Sequence, residues 1–237
     1  MTALLTQRKY RLAARLANDT ARTFGLWLTA AFAVLLVGSL VYRAVTGEYA
    51  QVAQWAILAI PLVMAGAAWF HLVKGQPRAI ANGLTRKEFI TAFALYGAVT
   101  VATAALLTHL GIAVIGLFAT YKGAEHGFSF YGTGWLDSFA RPALWFAIGA
   151  AAGAAMLRFG TGLLGAFLAG LIAAAGLYRS VAISLVVNAD GESGTLVEVP
   201  VAMNSTSMAW VDLALTAAFA LLALALLARA PMRPKPA

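Results

Sequence analysis

The chain has 237 residues, 62% of them hydrophobic and only 11% charged, with a mean hydropathy of +0.81 and a net charge of +8. A soluble domain carries about 25% charged residues, so this composition excludes an ordinary water-soluble enzyme and a disordered interaction segment. With no cysteine present, a disulfide framework, thiolate metal sites and cysteine nucleophiles are excluded too.

The first predicted element is an amphipathic helix over residues 1–22. Leu5, Leu12 and Leu16 fall on one face with Arg8, Arg11, Arg15 and Arg22 around it, the pattern of a helix lying in the inner headgroup region. A plain basic topogenic tail fits the same residues. Six apolar stretches follow at 24–41, 55–73, 89–120, 140–157, 163–187 and 208–228. A spanning helix needs about 20 such residues, so the fold class is all-α, a polytopic membrane protein with six transmembrane helices. The first stretch is too long for a signal-peptide core, and no small-residue cleavage site precedes Tyr42 and Arg43, so it reads as retained. The third would make a helix of about 48 Å, longer than a hydrocarbon core of about 30 Å. It must tilt, protrude or break, and Gly111 and Gly116 point to a break near its far end. The transmembrane domain spans 23–230, and 231–237 is a cytoplasmic tail.

Orientation follows from lysine and arginine. With the N-terminus inside, the inner set is Arg8, Lys9, Arg11, Arg15, Arg22, Lys74, Arg78, Arg86, Lys87, Arg158, Arg229, Arg233 and Lys235, thirteen of the 17 basic residues. The expected topology is N-in and C-in in a cell membrane of the bacterial inner-membrane type. Basic charge then marks sidedness and does not imply nucleic-acid binding.

The connection after the second span is the most structured. Pro77 suits a first helical turn and Gly83 the position just past a helix end, enclosing a helix of under two turns. Thr85 and Glu88 form a capping box flanked by Leu84 and Phe89 as a hydrophobic staple, so the third span starts at Arg86. A helix that short has no stability alone in water and needs a surface to rest on. A well-capped loop carrying topogenic charges is the plainer alternative.

The motif Ala81-Asn82-Gly83-Leu84-Thr85-Arg86-Lys87-Glu88-Phe89, following a basic amphipathic helix and two spans, resembles the membrane subunit of type-2 ATP-binding-cassette (ABC) transporters, mostly exporters. The resemblance covers the whole chain in architecture and about ten residues in motif. It implies that the segment at about 77–88 is a coupling helix seated on a separate ATPase. Arg78, Asn82, Gly83, Leu84, Thr85, Arg86 and Lys87 would then carry the coupling, and the N-terminal helix would be the interfacial connecting helix. It also implies a second permease copy or a homologous permease, with ATP and Mg2+ held by the partner ATPase. This chain has no Gly-x-x-x-x-Gly-Lys-(Ser/Thr) phosphate loop, so no cofactor, catalytic residue or nucleotide site is expected in it.

Inside the membrane, ionisable residues are candidates by default. His109 is the deepest, either a lone structural histidine or part of a substrate path. Arg179, followed by Ser180 in the fifth stretch, can snorkel outward, pair with Asp212 or face such a path. The three histidines, His71, His109 and His126, are too dispersed in sequence for a metal cluster. Gly149 and Gly153 make a Gly-x-x-x-Gly face, with Gly162, Gly165 and Gly170 continuing the theme. Such faces let backbones approach within a subunit, the commoner outcome, or between copies. The outer connection at 188–207 carries an alternating run over 195–201 that suits a short strand, a small hairpin or a partly re-entrant cap. Two further readings share these features: a membrane anchor or regulatory protein without transport activity, and an ion-coupled carrier. The lack of an intramembrane carboxylate and of inverted repeats weakens the carrier.

Overall fold

The computed structural model describes residues 2–46, 54–120, 135–160, 162–192 and 205–230. Every element among them is helical: α1 (Thr2–Thr20), a π-helical turn (Ala21–Gly25), α2 (Leu26–Thr46), α3 (Gln54–Ala81), α4 (Arg86–Thr120), α5 (Trp135–Phe159), α6 (Leu163–Glu192) and α7 (Ser205–Ala228). Four helical stretches are long and apolar enough to cross a membrane: Arg8–Thr46, Arg86–Ile115, Ser138–Phe159 and Ala209–Ala228. The described apolar part of α6, Leu163–Leu177, is shorter. α3, 28 residues long with Pro61 and Pro77 inside it, is not among these four stretches of the described residues.

Three expectations change. The N-terminal helix is not a separate element, because α1 runs through the π turn into α2 as one rod. One side of it packs on protein: Ala13 and Leu16 are buried in the same core as Phe89 and Phe93 of α4. The short helix predicted from Pro77 to Gly83 is the end of α3, which continues through Pro77 to Ala81. Proline lacks the N–H for one intrahelical bond, yet α3 continues through it, with Lys74 over the Phe70 ring at 4.3 Å in the preceding turn. α4 has no break: its 35 residues run unbroken past Gly111, where a Cβ would come within 2.9 Å of Ile57. That glycine makes room for a neighbouring helix and leaves the helical path unchanged. The run at 195–201, the 121–134 connection and the 231–237 tail lie outside the described residues.

α5 is the central helix, flanked by α3, α6 and α7. It packs through small residues, with Ala147, Ala150, Ala151, Ala154 and Ala155 all buried. Gly149 meets the backbone of Ala65 on α3, and Trp69 Nε1 donates to Met156 Sδ at 3.0 Å. The expected close approach is therefore made within the subunit, at the α3–α5 crossing. Two apolar cores mark the two ends of the bundle. One joins Leu16, Leu72, Phe89, Ala154 and Leu226 from five helices. The other joins Ile57, Ile60 and Ile115, with Phe32 and Leu36 of α2 against it. Several hydroxyls along the helices are satisfied by the preceding turn, which suits a bilayer: Ser39 Oγ donates to Leu35 O at 2.8 Å and Thr108 Oγ1 to Ala104 O at 2.9 Å.

Candidate functional site

The first core closes on a corner where α3 turns into α4. The turn is built by two capping devices in succession. Gly83 takes φ +78°, the left-handed conformation that glycine adopts without a Cβ penalty. Leu84 N then donates to Ala79 O at 3.0 Å and Gly83 N to Ile80 O at 2.9 Å, the paired bonds of a Schellman end. One residue later, Thr85 N donates to Glu88 Oε2 at 2.8 Å and Glu88 N to Thr85 Oγ1 at 3.3 Å, the reciprocal capping box expected there. Thr85 Oγ1 also donates to Glu88 Oε2 at 2.9 Å. Leu84 and Phe89 meet in the core beneath, with Phe89 fully buried. Between the end of α3 and Arg86, every backbone step is held by a cap.

Arg86 has a task that its sequence position does not announce. Its guanidinium reaches across to α7, donating from Nη1 to Ala228 O and from Nη2 to Ala230 O, the latter at 2.6 Å. These are carbonyls that the end of a helix leaves unpaired, and a cation there also opposes the negative end of the helix dipole. Arg86 therefore locks the start of α4 to the end of α7. Replacing it with glutamine is expected to destabilise the bundle by about 2 kcal/mol. Hydrogen exchange should detect this as faster exchange confined first to the last two turns of α7.

The remaining predicted coupling residues divide by exposure. Arg78, Asn82, Gly83, Thr85 and Lys87 are exposed at the corner, while Leu84 and Arg86 are partly covered. Lys74 is exposed one turn before Arg78, and Arg8 and Lys9 of α1 lie close enough to bias Glu88 electrostatically. Cations from α1, α3 and α4 thus gather around a capped turn.

His109 lies on the far part of α4, partly buried, its ring centroid 3.9 Å from that of Trp135 at the start of α5. Its Nε2 is buried without a partner among the described residues. Arg179 and Ser180 belong to the α6 helix, but their side chains lie outside the described residues. The corner and His109 sit in different parts of the fold.

One constellation escaped the sequence reading. Thr20 Oγ1 lies 2.8 Å from both His71 Nε2 and Tyr96 Oη. The single hydroxyl uses its hydrogen for one neighbour and a lone pair for the other. All three side chains are buried, and the His71 and Tyr96 rings stand edge to face with centroids 5.3 Å apart. The cluster ties the last residue of α1 to α3 and α4, directly before the π turn. Such turns recur at functional positions in helices. Its partners are 51 and 76 residues from Thr20, so no local pattern could have grouped them.

Chemically, the corner can dock an acidic or phosphate-bearing surface, and the buried cluster can hold helices in register. Among the described residues no three histidine, cysteine or carboxylate side chains come together as a metal site. Compared with protein-family models, curated proteins and solved structures, the chain matches none of them.

Proposed function

We propose that this chain is the membrane-spanning permease subunit of a type-2 ABC exporter, driven by a separate ATPase at the α3–α4 corner. In this reading α3 and α6 complete a set of six spans. The termini face the cytoplasm, and two copies, or this chain and a homologous permease, enclose the path. The observation that carries the proposal is a capped, basic turn clamped to α7 by Arg86, at the place of the Gly83–Phe89 motif. A docking element must pass on displacement and not absorb it, and a turn held by a Schellman end and a capping box has little slack. ATP and Mg2+ belong to the partner, which shifts the permease only if it binds one conformation more tightly than another.

Because Arg86 holds α7, its reversal would report on folding, so exposed Lys74 and Arg78 are the cleaner probes of docking. With a candidate ABC ATPase co-expressed, Lys74→Glu with Arg78→Glu is expected to lower co-purification about tenfold, at up to about 1 kcal/mol per charge. Unchanged co-purification would refute docking at this corner. Co-purification without any stimulation of ATP hydrolysis would favour a membrane anchor over a transporter.

A further inference from the structure

A cavity of about 350 Å³ opens between α4, α5 and α7. Its α4 wall follows the stripe Ile90, Ala94, Gly97 and Val101, at alternating spacings of four and three, with Phe93 and Ala98 alongside. Gly97 shapes it: a Cβ there would come within 2.6 Å of the Phe146 ring, which forms the floor. The one hydroxyl in the lining, Thr216, donates to Asp212 O on its own helix at 2.7 Å. The lining therefore offers its occupant no side-chain hydrogen-bond donor, and its otherwise apolar walls suit an aliphatic chain.

Two further features identify that chain. From Ile90 to Val101 the stripe rises about 16 Å, close to the hydrocarbon depth of one leaflet, about 15 Å. The same stripe extended by one turn reaches exposed Lys87, and in the turn just past the end of α7 exposed Arg229 follows Leu227 of the lining by two residues. An apolar slot one leaflet deep thus ends in two exposed cations at one end.

We infer that this slot is a binding site for an anionic phospholipid, with one acyl chain between α4, α5 and α7 and the phosphate against Lys87 and Arg229. The slot lies between α4, α5 and α7 and shares only Lys87 with the α3–α4 docking turn. It requires only that the chain cross a bilayer, and its test contains no ATPase, so its failure and that of the permease reading are separable. Anionic lipids concentrate in the cytoplasmic leaflet, where each nearby lysine or arginine adds about 1 kcal/mol. That leaflet is the one expected to face these residues.

The test uses the full chain in phosphatidylcholine nanodiscs containing a minor fraction of phosphatidylglycerol with a photoreactive diazirine in one acyl chain. Labelling is expected to map to 90–101 and 216–227 and to be displaced by unlabelled phosphatidylglycerol but not by phosphatidylcholine. Lys87→Gln and Arg229→Gln should each reduce it roughly fivefold. Ala220→Phe should fill the slot and abolish it, whereas Arg15→Gln, on α1 outside the lining, should leave it unchanged. Labelling spread evenly over the exposed faces of α2 and α6, or indifferent to headgroup charge, would overturn the site. So would cross-links joining 90–101 of one copy to a second copy in place of lipid.

Discussion

Gly149→Ala is expected to destabilise the bundle by about 3 kcal/mol or more, the upper range for forcing atoms into a packed interior. A methyl at this position would fall on the carbonyl of Ala65 and lie within 2.8 Å of its Cα. Those are backbone atoms of α3, so no rotamer change can make room and the two helices must separate. The consequence spreads because α5 is the helix against which α3, α6 and α7 all pack. Two other glycines, Gly153 on α5 and Gly170 on α6, provide graded controls. At Gly153 the same methyl would meet Leu72 at 3.2 Å and Trp69 O at 3.4 Å, a contact that small adjustments relieve, so the loss should be smaller. At Gly170 nothing lies within 4 Å, and alanine there should be neutral or stabilising by up to about 1 kcal/mol through helix propensity. Thermal unfolding of the three variants in detergent would check the order. Equal midpoints for Gly149→Ala and Gly170→Ala would show that the α3–α5 crossing is not the tight point of the fold.

Thr20→Val is expected to cost about 2 kcal/mol. Valine keeps the shape and removes the hydroxyl, leaving His71 Nε2 and Tyr96 Oη buried without the partner they share. Tyr96→Phe should cost less, since Thr20 then still serves His71. The double variant should be more stable than the sum of the single losses implies, with a coupling of about 1 kcal/mol, because removing both groups leaves one fewer orphan. The first region to open should be α1, whose far end this cluster fastens, so hydrogen exchange over 8–20 should rise before any change in α5. Strictly additive losses would mean that the three side chains do not act as a unit.

What was legible in the sequence was local. Gly83, Thr85, Glu88 and Phe89 lie within seven residues, and their roles as helix end, cap and staple follow from backbone rules that need no tertiary information. The starts of α4 at Arg86 and α6 at Leu163, and the end of α7 at Ala228, fall where charge and glycine punctuate the apolar runs. The close helix approach at Gly149 was likewise foreshadowed by residue size. The illegible parts depend on distant partners. Arg86 meets α7 142 and 144 residues away, so its sequence context suggested an exposed docking charge. Pro77 was misleading because local rules favour proline at a helix start, whereas packing carries α3 across it. Gly111 was misleading in the same way, since helix propensity cannot see Ile57 alongside.

The π turn at Ala21–Gly25 explains how one rod can serve two cores. In α1 the inward residues are Ala13, Leu16 and Thr20; in α2 they are Leu28, Phe32, Leu35, Leu36 and Ser39. Projected along an uninterrupted α-helix at about 100° per residue, the two sets point about 110° apart. A rod without correction would turn one of them away from the bundle. A π turn takes up one residue without advancing the rotation, a retreat of about 100°, which brings the two stripes nearly into phase. The turn acts as a gear offset: the N-terminal helix and the first span can be straight, continuous and both seated on the same side. Angular register along this rod must therefore be counted with one residue skipped after Thr20.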